Sequence, residues 1–171
     1  MRRFIGLTCV FLLCLFLDLY IPQSALAMPF VGFSPFICTL MGRSRFKTLI
    51  VMTAVCGLCH DLFTLQHRVG VSSLAYLMAV FLNLAFFRKY YEENIIPFFG
   101  VTFSLSLGYS LFFLLFGAFK GLVISINIKM LQYQLLVYPL FDALIGLIGV
   151  FIPIKIYTYL KNMILKKDYA S

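Results

Sequence analysis

The chain contains no tryptophan, only six carboxylates, two histidines and 14 lysines and arginines in 171 residues. Charged residues make up 12% of it, about half the ~25% of an ordinary soluble domain. So little titratable material leaves little from which to build a catalytic centre. There is no H-E-x-x-H run, no phosphate-cradling glycine loop, and no Ser/His/Asp or Cys/His set at a shared depth. Long polar linkers are missing as well, so there is no room for a separate soluble domain, and no internal repeat stands out. The whole of 1–171 reads as one unit.

What the chain has instead is apolar surface. Hydrophobic residues account for 63%, with 20 Phe and 10 Tyr, against roughly 45–50% in soluble domains. A bilayer is the simplest solvent for such a composition. Six apolar runs can be marked: Phe4 to Ile21, Ala25 to Met41, Phe46 to Phe63, Val69 to Phe87, Ile95 to Phe119 and Tyr133 to Tyr157. Most are close to the ~20 helical residues that cross a hydrocarbon core. The second is short and carries Pro29, Gly32 and Pro35, so it is expected to be irregular. The fold class expected is all-α, a polytopic membrane bundle of about six spans.

The net charge of +8 would suggest nucleic acid in a soluble protein. Here the basic residues lie between apolar runs, so lipid is the expected partner and nucleic acid is not. With the N-terminus inside, Arg2, Arg3, Arg43, Arg45, Lys47, Arg88, Lys89, Lys161, Lys166 and Lys167 fall on the cytoplasmic side, ten in all. Arg68, Lys120 and Lys129 fall outside, three in all. That bias follows the positive-inside rule and places both termini in the cytoplasm. Lys155 lies inside the last run near its cytoplasmic end, where it can snorkel. The start of the chain, with Arg2 and Arg3, an apolar stretch and Ala25 and Ala27 in an A-x-A arrangement, also has the look of a signal peptide. The length of its apolar run and Asp18 within it favour a retained first helix.

Cys56-Gly57-Leu58-Cys59-His60 matches the C-x-x-C-H pattern of haem attachment. The match falls within a continuous apolar run, with no loop to wrap a porphyrin and too few nearby ligands for zinc. Cys56 and Cys59 are therefore read as small packing residues, and His60 as a residue near the interface. No cofactor is expected.

Asp61 is more informative, because a charge within a span costs about 2.5–3.5 kcal/mol and normally faces other helices or water. Thr53, Gly57 and Asp61 share one helical face. Ser72, Tyr76, Ala79 and Asn83 form a second such stripe. Tyr138, Asp142, Gly146, Gly149 and Pro153 form a third. Asp18, Asp61 and Asp142 could belong to a proton relay, or they could cap helices and bond to neighbouring spans.

The spacing of Gly57, Leu58 and Asp61, followed by Gly70, Ser72, Leu74 and Tyr76, resembles the MreD family of rod shape-determining membrane proteins. In that family the third span ends in a G-L-x-x-D pattern and G-x-S-x-L-x-Y opens the fourth. His60 stands where an aliphatic residue is common. The resemblance implies a bundle like the substrate-binding subunits of energy-coupling-factor transporters. It also implies a non-enzymatic scaffold in the bacterial inner membrane, working in the peptidoglycan elongation machinery. The implied partners are an MreC-like protein, an MreB-like cytoskeleton, a SEDS glycosyltransferase and a penicillin-binding transpeptidase. Candidate contact residues are Gly57, Asp61, Gly70, Ser72, Tyr76, Asp142, Gly146, Gly149 and Asp18. The alternative is a vitamin-binding transporter subunit. The first run lacks the A-x-x-x-A face such subunits use for docking, and convergent polar groups for a pocket are few.

Overall fold

A computed structural model describes residues 8, 10–16, 33–63, 69–90, 94–119 and 131–168. Asp18, the A-x-A stretch and the connection at 64–68 lie outside them. The described part is almost entirely helical and has no strand. After a helical stretch at 10–16 come α1 (Ser34–Arg43), α2 (Phe46–Phe63), α3 (Val71–Tyr90) and α4 (Ile95–Phe119). The last helix is composite: a π turn (Tyr133–Val137), α5 (Tyr138–Gly146), a second π turn (Leu147–Phe151) and α6 (Ile152–Asp168).

α1 is a regular helix in its described part, despite Pro35. The proline sits in the first turn, where its missing N–H bonds nothing in any helix and its fixed φ suits the start. α1 ends at Ser44, which turns extended while its N–H still reaches the Leu40 carbonyl at 2.8 Å. Pro97 is placed in the same way, near the start of α4.

α4 is the centre of the bundle, packing against α1, α3 and α5. α2 lies on the far side of α3 and also touches α1. Paired contacts give the directions. Phe46 of α2 meets Phe81 of α3, and Gly57 meets Ser73, so these helices are antiparallel. Ser106 meets Asp142, Thr102 meets Gly146 and Phe98 meets Phe151, so α4 and the last helix also run in opposite directions. The core between them holds Phe33, Phe36, Ile37, Leu40, Val80, Phe98, Leu105 and Tyr109. Phe11 ties the 10–16 stretch to it through Phe33 and Phe36, with ring centroids 5.8 and 5.3 Å apart.

Each π turn comes just before a proline. Pro139 and Pro153 lack the N–H for an α-helical bond, and their rings crowd the preceding turn. Widening that turn accommodates the ring, as the bonds from Tyr138 N–H to the Tyr133 carbonyl and from Ile152 N–H to the Leu147 carbonyl show. The second π turn corrects one expectation. A uniform helix would carry the Tyr138–Asp142–Gly146 stripe on to Pro153. The wide turn adds a residue, so Val150 and Phe151 become buried and Pro153 faces outward.

Among the described residues two segments are long and apolar enough to cross a membrane, Ile95–Phe116 and Tyr133–Tyr159. Large apolar side chains are exposed across the bundle, including Val51 and Leu62 on α2, Ile96 on α4 and Ile148 on the last helix.

Candidate functional site: a buried polar seam

The end of α2 and the start of α3 are held together by one carboxylate. A helix begins with backbone N–H groups that have no partner within it, and its N-terminus favours negative charge. Asp61 meets both needs from the neighbouring helix. Its Oδ2 accepts the Gly70 N–H at 2.6 Å and its Oδ1 accepts the Ser72 N–H at 3.2 Å. The side chain is buried. Gly70 turns the chain into α3 with φ +101°, a conformation that glycine adopts without steric cost.

One turn back, Gly57 lies directly against the backbone of α3. A Cβ there would be 2.3 Å from Ser73 Cα and 2.4 Å from Ser73 N. Ser73 Oγ donates to the Ala54 carbonyl at 2.9 Å. The absence of a side chain at 57 thus sets the close approach that brings Asp61 within reach of Gly70 and Ser72.

From Ser72 the polar contacts continue inward. Its hydroxyl shares a hydrogen bond of 3.0 Å with the Tyr109 hydroxyl of α4. Tyr76 and Tyr109 lie with ring centroids 4.3 Å apart. His60 packs edge-on against both, at 6.5 and 5.9 Å. His60 is wholly buried, with the two tyrosine rings packed against it. Farther along α4, Ser106 Oγ donates to Asp142 Oδ2 at 2.5 Å, and both residues are buried. A Cβ on Gly146 would come 2.8 Å from Pro35 Cβ and Cγ, so that glycine seats α1 against α5. Gly149 is different, since a Cβ there would make only an ordinary 3.5 Å contact with Leu13.

The C-x-x-C-H run lies inside the unbroken α2. Cys56 is fully buried and Cys59 partly so. Among the described residues no group of three His, Cys, Asp or Glu side chains is placed to hold a metal ion.

The seam therefore joins α2 to α3 through Asp61, α3 to α4 through Ser72 and Tyr109, and α4 to α5 through Ser106 and Asp142. Reading the sequence did not identify Ser106 or Tyr109. Their signal was available in the steps of three and four linking Thr102, Ser106, Tyr109 and Ser110, all of them buried. Such a seam can hold four helices in register, since each of these bonds joins one helix to the next. Comparison with known proteins found no matching family model, curated protein or solved structure.

Proposed function

We propose that this chain is a multi-pass protein of a bacterial cytoplasmic membrane, acting as a non-enzymatic, MreD-like scaffold of the cell-wall elongation machinery. One observation carries the reading: of the seven residues of the resemblance, Gly57, Asp61, Gly70, Ser72 and Tyr76 converge on one helix junction, while Leu58 and Leu74 face outward. Their polar groups are directed at neighbouring helices. A scaffold that presents a rigid outer surface to partners calls for such internal bonding.

The membrane part of the proposal is supported by the outward-facing apolar side chains, since contiguous apolar surface of this kind is rare on soluble monomers. α2 and α3, with 18 and 20 residues, are about 27 and 30 Å long at ~1.5 Å per residue. These lengths suit a ~30 Å hydrocarbon core. In the proposed six-span, N-in/C-in scheme they would stand beside α4, the last helix and the two spans to which the 10–16 stretch and α1 would belong. The scaffold would present its outer helix faces and short loops to an MreC-like protein and to the glycosyltransferase and transpeptidase pair.

Depletion of the protein in its own host tests the proposal, with reporter fusions at both ends read in parallel. Rounded cells rescued by the wild-type chain but not by Asp61→Ala, and both termini in the cytoplasm, are expected. Normal cell shape with a vitamin requirement would move the protein to the transporter subunits. Termini on opposite sides would overturn the six-span arrangement.

A further inference from the structure

The last helix is longer than a bilayer is thick. From Tyr133 to Asp168 it runs for 36 residues, about 54 Å at ~1.5 Å per residue. A bilayer with its headgroups measures only ~40–45 Å. The register against α4 shows which end is in excess. Ser106 pairs with Asp142, Thr102 with Gly146 and Phe98 with Phe151, so the first residue of α4, Ile95, falls level with about Pro153. Beyond that level the burial pattern changes abruptly. Phe151 is buried and Ile154 half-buried, but Lys155, Ile156, Tyr157, Thr158 and Tyr159 are all exposed, as is Met163. From Lys155 onward every described side chain is exposed.

The composition of this end is also distinctive. Residues 155–168 contain four lysines (Lys155, Lys161, Lys166 and Lys167) and one carboxylate, Asp168. Ile156, Tyr159 and Met163 follow at steps of three and four, all exposed, so they form one apolar stripe. Tyr157 and Tyr159 are of the type that settles at headgroup level. A basic helix end carrying exposed apolar and aromatic residues suits the headgroup layer of a membrane.

We propose that residues 155–168 carry the end of the last helix into the anionic phospholipid headgroups of the cytoplasmic face. This rests on the membrane reading above and goes beyond it. The lysines would do more than set topology: they would hold the end of the helix against the surface. Attraction to an anionic leaflet is about fivefold per lysine, so four lysines together give well over a hundredfold.

The lack of tryptophan makes a clean experiment possible. The full chain carrying Tyr159→Trp is placed in nanodiscs of phosphatidylcholine alone, or of phosphatidylcholine mixed with phosphatidylglycerol. Each type is prepared with and without brominated acyl chains. Ile148→Trp, on the outward face of the bundle, serves as a second reporter. The fluorescence of Tyr159→Trp is expected to shift to the blue and be quenched severalfold more in the anionic discs. Changing all four lysines to Gln should abolish that difference, and raised salt should reduce it. Quenching at 148 but none at 159 in either lipid would overturn the headgroup placement and leave the membrane reading intact. Equal quenching at 159 in both lipids would rule out headgroup charge as what holds it. Quenching at neither position would overturn both.

Discussion

Gly57 and the backbone of Ser73 meet so closely that a single methyl group at 57 would overlap Ser73 Cα, at 2.3 Å. Gly57→Ala must therefore push α2 and α3 apart. Overpacking of this kind costs about 1–3 kcal/mol, so the unfolding midpoint in detergent should fall. Gly100 is the internal reference: a Cβ there meets nothing within 4 Å. Gly100→Ala should gain about 0.5–1 kcal/mol from helix propensity. Equal effects at the two positions would mean that the crossing is looser than described.

Asp61 holds two backbone donors at the start of α3. Asp61→Ala removes both acceptors and should destabilise the chain by about 0.5–2 kcal/mol, as loss of a helix cap does. Asp61→Asn keeps one carbonyl acceptor and should cost less. Hydrogen exchange at the first turn of α3 is the direct measurement. Unchanged protection there in the alanine variant would show that the cap contributes nothing.

Gly70 offers a test of backbone strain alone. Space around it is open, but its φ is +101°. Gly70→Ala should cost about 1–2 kcal/mol through the left-handed penalty borne by a side chain, with no steric clash to relieve. A neutral substitution, read by thermal unfolding, would mean that the turn readily adopts another conformation.

Ser106 and Asp142 are suited to a double-mutant cycle. Ser106→Ala, Asp142→Asn and the pair should show a coupling of about 1–3 kcal/mol, as expected for a buried hydrogen bond to a carboxyl group. Additive effects would mean that the 2.5 Å contact contributes nothing to holding α4 against α5.

Helical periodicity made much of this fold legible. The expected bounds of α2 and α4 match those observed, and the polar stripes of α2 and α3 are buried as their spacing implies. Asp61 could be placed at a helix end because a carboxylate in an apolar run needs donors. The donors themselves could not be named, because the approach of α3 depends on the contact at Gly57. The enclosure of His60 could not be read for a similar reason: it depends on two tyrosines from different helices. The outward turn of Pro153 was hidden because a 3.6-residue period assumes uniform turns. α6 runs on to Asp168 because polar residues such as Lys161 and Asn162 end an apolar run without ending a helix.

The wide turns before Pro139 and Pro153 have a consequence for how such a chain can change. Each contains one residue more than a tight coil requires. Loss of a residue between Leu147 and Phe151 could be absorbed by closing that loop of backbone, leaving Asp142 and everything before it undisturbed. The same loss in the middle of α4 would rotate half of the central helix away from its partners. Natural variation in length should therefore collect in the last helix and be absent from the one at the centre.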